Sequence, residues 1–427
     1  MAYRSFWALS SLLAALVLTA CEPSLDFADL AVRRLVQAER GQGPVRVGVV
    51  WPSTGDLFRE GIALAAAEIN ASEDGILGHP LEIHYLNDFR RFEEARSSIR
   101  RLVRDTTLIS VIGHREPEVA IPASLIYEQS GILYLAPFIT NQRLTAHGFQ
   151  LVFRMVPGNE LLAEQLISLC NHLGYRRLVV LHSRDAEHRE QATLFLDRAL
   201  KSGLAIDTQI SFFDNTQNFR DAIARFRNHR FDAIFIAGGD RFGGRLVSQI
   251  RELDIALPII GVDTMDSMEF LLTAGVAAEG VILPTVYYAA SGTNINEQFV
   301  SRFQERYGVP PDVYAAQAYD SLHLLAHTIR RTRSRTPVVM ASTLRFLPFW
   351  IGVTGVHAFD TRGNVEGKKF YFKIRRDESW EILIGAHTAF TIQRFLEYLE
   401  ERDAAGGPDE VQTPPTTPPS NAPRASP

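Results

Sequence analysis

Between residues 108 and 140 the chain spells two short apolar runs, LISVI and ILYL, on either side of a segment with helical periodicity. A strand over 108–112, a loop opening at Gly113, a helix over 119–128 and a strand over 132–135 make one βαβ unit. A right-handed crossover brings the second strand back parallel to the first. Both following loops, 136–140 among them, then emerge at one carboxyl edge of the sheet. That edge, beside helix N-termini with free N–H groups, is where open α/β sheets hold small polar or anionic solutes.

The same alternation fills most of the chain. A β-run over 45–50, VRVGVV, turns at Trp51-Pro52-Ser53-Thr54-Gly55 into a helix over 61–71, a strand over 81–86 and a charged amphipathic helix over 92–105. From about Phe149 helices over 161–173, 190–201, 218–228 and 244–253 alternate with strands over 177–182, 205–212, 231–237 and 257–261. Strands covered by helices on both faces read as unbroken apolar runs, so the pattern predicts an α/β fold of two doubly wound parallel sheets, one per lobe. At 427 residues the chain is also too long for a single core. A strand over 280–287 leads into two further helical segments, and 353–385 reads as antiparallel strands around Gly turns.

The two ends read differently. Arg4 precedes an apolar run over 6–17 that ends in Leu18-Thr19-Ala20-Cys21, the layout of a secretory signal over 1–20. The ending resembles a bacterial lipobox, which implies acylation of Cys21; a plain signal peptide containing a cysteine is the alternative. Several acyl chains on one residue anchor stably where one does not. Residues 21–44, polar to amphipathic, read as a linker between lipid and fold. With Cys21 lipidated, Cys170 stands alone and no internal disulfide is possible. Its helical spacing among apolar neighbours marks it as a small buried hydrophobe. An extra amphipathic helix is expected over 388–403, and the Pro-rich stretch 404–427 cannot bury a core.

Several function classes fall away. A net charge of −5 and a pI near 6.2 argue against a dedicated nucleic-acid binder. There is no G-x-S-x-G, H-E-x-x-H, Walker A or C-x-x-C motif, so neither catalysis nor a cofactor is expected. His182, His188 and Glu187 could suggest a metal, but they sit in a polar loop after a strand, where hydrogen-bonded or solvated histidines are the commoner case. The glycine-rich run 238–244 also opens a helix after a strand, without the spacing of a dinucleotide loop.

The wording V-I-G, then P-A-S-x-I-Y-E-x-x-G-I, then A-P-x-x-T-N resembles the leucine/isoleucine/valine-binding branch of the periplasmic type I substrate-binding proteins. The resemblance covers about 45–383. It implies a first lobe of 45–154 and 282–355, a second of 155–281 and 356–387, and three hinge crossings near 154–158, 280–285 and 354–359. Together with the lipobox-like ending it implies a periplasmic lipoprotein, anchored in either the inner or the outer membrane, that serves an inner-membrane ABC permease and closes on a small polar ligand such as an amino acid or amide. A ligand-sensing or regulatory module without a transport role is the alternative.

Site residues follow from that likeness one by one. Thr140 matches a threonine that helps bind the ligand's carboxylate and amino groups. Asp263, in Gly261-Val262-Asp263, matches an acidic residue that pairs with the ligand ammonium. Trp51, Ser53, Glu118, Glu187 and Asp240 are further candidate contacts. The departures matter as much. Glu118 and Val119 stand where relatives carry hydroxyls, Glu187 replaces a tyrosine, and a further aromatic position near Gly239 has become glycine, with Phe242 nearby. The first loop is short between Gly55 and Gly61 and lacks a Tyr-Gly pair. Extra carboxylates would make the pocket acidic and favour a cationic or amide solute, since they repel a ligand carboxylate. Alternatively, Glu118 and Glu187 point to solvent.

Overall fold

The computed structural model describes residues 25–73, 75–228 and 230–384. The signal segment 1–20, Cys21, the helix expected over 388–403 and the tail 404–427 lie outside the described residues. Five parallel strands form the first sheet: β1 (Val45–Val50), β2 (Leu81–Leu86), β3 (Leu108–Gly113), β4 (Leu133–Ala136) and β5 (Val152–Arg154), in the order β2-β1-β3-β4-β5. β3 and β4 are buried along their whole length, as unbroken apolar runs require.

The second sheet contains β6 (Arg177–Ser183), β7 (Ala205–Phe212), β8 (Ala233–Ala237), β9 (Ile259–Ile260) and β10 (Val281–Thr285). Two later strands, β14 (Tyr371–Arg376) and β15 (Ser379–Ile384), add antiparallel to its edge, giving the order β15-β14-β10-β9-β8-β6-β7. A small third sheet joins β11 (Trp350–Gly352), β12 (Gly355–Phe359) and β13 (Val365–Glu366). The fold class is therefore the expected α/β pair of doubly wound lobes.

Three crossings join the sheets, after β5, after β10 and between β13 and β14. The second and third fall later than 280–285 and 354–359. β10 is still held in the second sheet by Ile260 and Lys373, and β12 still pairs with β11 and β13. Lys368 stitches this waist together. Buried, it donates to Met155 O at 3.2 Å, Gln317 Oε1 at 2.8 Å and Thr354 Oγ1 at 2.8 Å, with His357 Nε2 at 2.9 Å. Burial lowers its ammonium to about 7 against the opposing pull of Asp320.

Where the helices meet, glycine sets the distance. Helix Phe58–Ala71 crosses helix Val313–Thr332 so closely that a Cβ on Gly61 would lie 2.2 Å from Ala315 O. The helix expected over 218–228 shrinks to Arg220–Ile223 and a 3-10 turn, Ala224–Asn228. Its approach is pinned by Gln249, which accepts from Phe219 N and donates to Gln217 O.

The linker expectation is corrected. Residues 27–40 form a helix, Phe27–Arg40, capped by Asp26 and closed by Gly41 in a left-handed conformation. Its buried face is Leu30, Arg34 and Ala38, one turn apart. Arg34 is fully buried and donates to Leu108 O at 2.6 Å, Val103 O at 2.8 Å, Asp105 O at 3.0 Å and Ser130 O. These carbonyls lie at the amino end of β3, at the end of the helix before it and at the end of the helix after it. The segment is part of the first lobe.

Candidate ligand-binding cleft

The carboxyl ends of β3 and β4 in one sheet face those of β6, β8 and β9 in the other. Between them lies a cavity of about 460 Å³. The first lobe lines it with Arg115, Glu118, Phe138, Thr140 and Tyr314, the second with Glu187, His188, Asp240, Phe242 and Asp263. A wider depression of about 810 Å³ adjoins at Glu118 and opens outward between helices Pro117–Gln129 and Ala186–Ser202. Another, about 760 Å³, lies at the amino ends of the second sheet near Tyr175, Pro258 and Gly280, away from the helix N-termini.

Two helices of the second lobe begin at the cavity. Asp185 caps the first, accepting from His188 N at 2.9 Å, which sets Glu187 in the opening turn. Asp240 is the first residue of the second, Asp240–Glu252, where the positive helix end favours a carboxylate. Gly238, two residues before it, is structural: a Cβ there would lie 2.2 Å from the Phe242 ring, so the small residue lets Phe242 fold back over the strand end.

Polar contacts span the cleft. Thr140 Oγ1 donates to Glu187 Oε1 at 3.0 Å, and Asn141 Nδ2 donates to Glu187 Oε2 at 2.8 Å. Asn159 Nδ2 adds a third bond to Glu187 at 2.8 Å. Arg115 Nη2 pairs with Asp240 Oδ2 at 2.8 Å and donates to the Tyr314 hydroxyl at 3.2 Å. Asp263 Oδ1 accepts from Gln191 Nε2 at 3.0 Å. His188 is held at both ring nitrogens, Nδ1 by Asp185 at 2.7 Å and Nε2 by Thr264 Oγ1 at 3.0 Å.

These surroundings reset the charges. Burial pushes the Glu187 carboxyl up to about 7, although Asn159 and Asn141 favour its ionised form. Burial likewise lifts Asp263 to about 6. For His188 burial works the other way, but the bond to Asp185 and the charges of Asp185, Glu187 and Asp263 together outweigh it and raise the imidazole to about 9. The cleft therefore holds an imidazolium and an arginine at neutral pH, and its carboxylates are paired or disfavoured. It is not the simply acidic pocket that Glu118, Glu187 and Asp240 led us to expect.

Five of the seven expected contacts, Glu118, Thr140, Glu187, Asp240 and Asp263, line one cavity. Glu118 is exposed at its rim, while Glu187 is buried rather than pointing to solvent. Trp51 and Ser53 do not line it. Trp51 is buried, stacked on Phe58 at 3.7 Å between ring centroids, with its Nε1 donating to Asp56 at 2.9 Å. Ser53 is exposed and accepts from Asn87 Nδ2 at 3.0 Å. Sequence reasoning missed Arg115, Phe138 and Tyr314. Arg115 follows V-I-G-H directly, and its place after a strand at the carboxyl edge was the available signal. His182 turns away to Ser183 O and Gln209, and no group of three or more His, Cys, Asp or Glu side chains suited to a metal occurs among the described residues.

Comparison with known proteins agrees with this geometry. A family model described as periplasmic binding protein matches residues 44–374. The leucine-, isoleucine-, valine-, threonine-, and alanine-binding protein of Pseudomonas aeruginosa is 22% identical over 353 residues, 81% of this chain and 93% of that one. The Leu/Ile/Val-binding protein of Escherichia coli K12 is 26% identical over 326 residues, 74% of this chain and 85% of that one. A solved ABC transporter substrate-binding protein from Desulfitobacterium hafniense, in complex with Leu, is 31% identical with a TM-score of 0.73, covering 80% of this chain and 100% of that one. These relatives are binding proteins rather than enzymes. The chain belongs to the periplasmic binding protein family, as a type I member of its branched-chain amino acid branch.

Proposed function

We propose that this protein is the extracytoplasmic solute-binding component of an ABC-type importer, tethered through lipid on Cys21, and that it closes on a small polar ligand. The observation that carries the reading is the shared cavity of about 460 Å³, walled by the carboxyl edges of two sheets on a three-strand waist. A solute touching both walls binds only the shut form and shifts the population toward it by its differential affinity. Thr140 and Asp263 are the principal contacts, one from each lobe, with Glu118, Glu187 and Asp240 around them. The resemblance to leucine-binding relatives supports an amino-acid-like solute, and the departures at Glu118 and Glu187 support one more polar than leucine.

Thermal shift against amino acids, amides, polyamines and carboxylates tests this directly. A ligand at a thousandfold excess over its Kd adds roughly 4 kcal/mol to stability. A flat response across the whole panel would remove the reading. One observation favours a second function, a ligand-sensing module without transport. The Thr140 hydroxyl, expected to serve the ligand, donates to Glu187 of the same chain. Loss of solute uptake on gene deletion supports import; unchanged uptake with altered signalling output supports sensing.

A further inference from the structure

We infer that Arg115 is the anion receptor of the cleft, taking the ligand's carboxylate in exchange for the Asp240 carboxylate that it now holds across the lobes. The inference deepens the solute-binding reading and rests on it. Three arginines line the cavity, and two are already committed near the surface. Arg90 pairs with Glu116 and Arg241 with Glu269, with side chains 39% and 66% exposed. The Arg115 side chain is only 9% exposed.

Its geometry suits the task. Both of its hydrogen bonds leave from Nη2, to Asp240 and to Tyr314. Among the described residues Nη1 has only Asp56 at 3.9 Å, beyond hydrogen-bond reach, so donors remain for an arriving oxygen. The guanidinium carbon lies 5.1 Å from the centroid of the buried Tyr314 ring, which fixes the plane of the fork. Arg115 also sits just before the helix Pro117–Gln129, whose first turn carries Glu118 and Val119 where hydroxyl side chains are missing. A guanidinium replaces them with a stronger, two-toothed carboxylate partner.

Asp240 then acts as an internal competitor. An incoming carboxylate must displace it or share the fork, whereas the matched amide gains nothing from the exchange. With Arg115 receiving the carboxylate and Asp263 the ammonium, a zwitterion bridges the two lobes through opposite charges.

Calorimetry on the full mature chain with leucine, leucinamide, phenylacetate and phenylacetamide tests the exchange. The acids are expected to bind at least tenfold tighter than their amides. Arg115→Gln should bring that ratio to within threefold. Asp240→Asn should raise the preference for acids over their amides about tenfold further; this gain is readable even if the arginine variant fails to fold. A preference for acids that survives in Arg115→Gln, or an Asp240→Asn variant that weakens acids and amides alike, overturns the inference and leaves the solute-binding reading intact. Failure of all four solutes to bind the parent chain also overturns the inference, whereas the solute-binding reading falls only with a flat response across the wider panel.

Discussion

Replacing Arg34 by methionine keeps an unbranched apolar stem and removes the donor that joins the N-terminal helix to the first lobe. Three of its four acceptors, the carbonyls of Leu108, Val103 and Ser130, are buried contacts. Left unpaired they cost roughly 1–3 kcal/mol each, about 6 together. One term opposes this. Burial lowers the guanidinium from its ordinary value to about 10, and no longer burying a cation returns roughly 3 kcal/mol. The expected net loss is about 3 kcal/mol. Arg33 is the internal control: its side chain is 66% exposed and makes one i,i+4 pair with Asp29. Arg33→Met should therefore stay within about 0.5 kcal/mol of the parent. Urea unfolding of the chain from residue 22 at neutral pH, followed by circular dichroism, gives both numbers. Limited proteolysis of Arg34→Met should release the segment before Val45 while the lobes persist. Equal midpoints for the two variants would refute the role given to Arg34.

Other outcomes follow from the cleft and the core. Glu187 holds its proton in the native state up to about 7, whereas the unfolded chain releases it near 4.5. Its favourable contribution is thus complete below about pH 4.5 and is lost as pH rises to about 7, an effect of about 3 kcal/mol. Glu187→Gln should flatten that fall in urea midpoints between pH 5 and 8, and an unchanged slope would contradict the assignment. Gly61→Ala should cost about 2 kcal/mol despite the better helix propensity of alanine, because backbone at Ala315 blocks the new methyl. A midpoint at or above the parent's would refute the close crossing. Cys170 is buried and its thiol is pushed up to about 12, so a thiol reagent should modify it only after unfolding. Prompt labelling of the folded chain would count against that burial.

The alternation of strands and helices was legible because parallel strands covered on both faces must be apolar throughout, as at 108–112 and 233–237. The loops at the carboxyl edges were legible by the same logic, which brought Thr140, Glu187, Asp240 and Asp263 to one cavity. What failed to show was polar groups serving as interior. The buried stripe of the first helix is Leu30, Arg34, Ala38, with a charge at its centre, while Val32, Leu35 and Val36 face outward. Periodicity alone therefore scored the segment as a spacer. Arg115 was hidden similarly, since a cation in a loop reads as solvated until its partner on the other lobe is known. Trp51, a candidate contact by likeness, is instead covered by Phe58, a packing partner the sequence did not reveal.

Fixing the first helix by Arg34 has a mechanical consequence. Five residues separate Cys21 from Phe27, a reach of at most roughly 20 Å. Were Cys21 acylated as proposed, the first lobe would be a stator moored close above the bilayer, and the second lobe the part that swings. On the importer reading, a permease docking from below would meet one stationary footing and one travelling jaw, and capture of cargo would be reported chiefly by where the second lobe comes to rest.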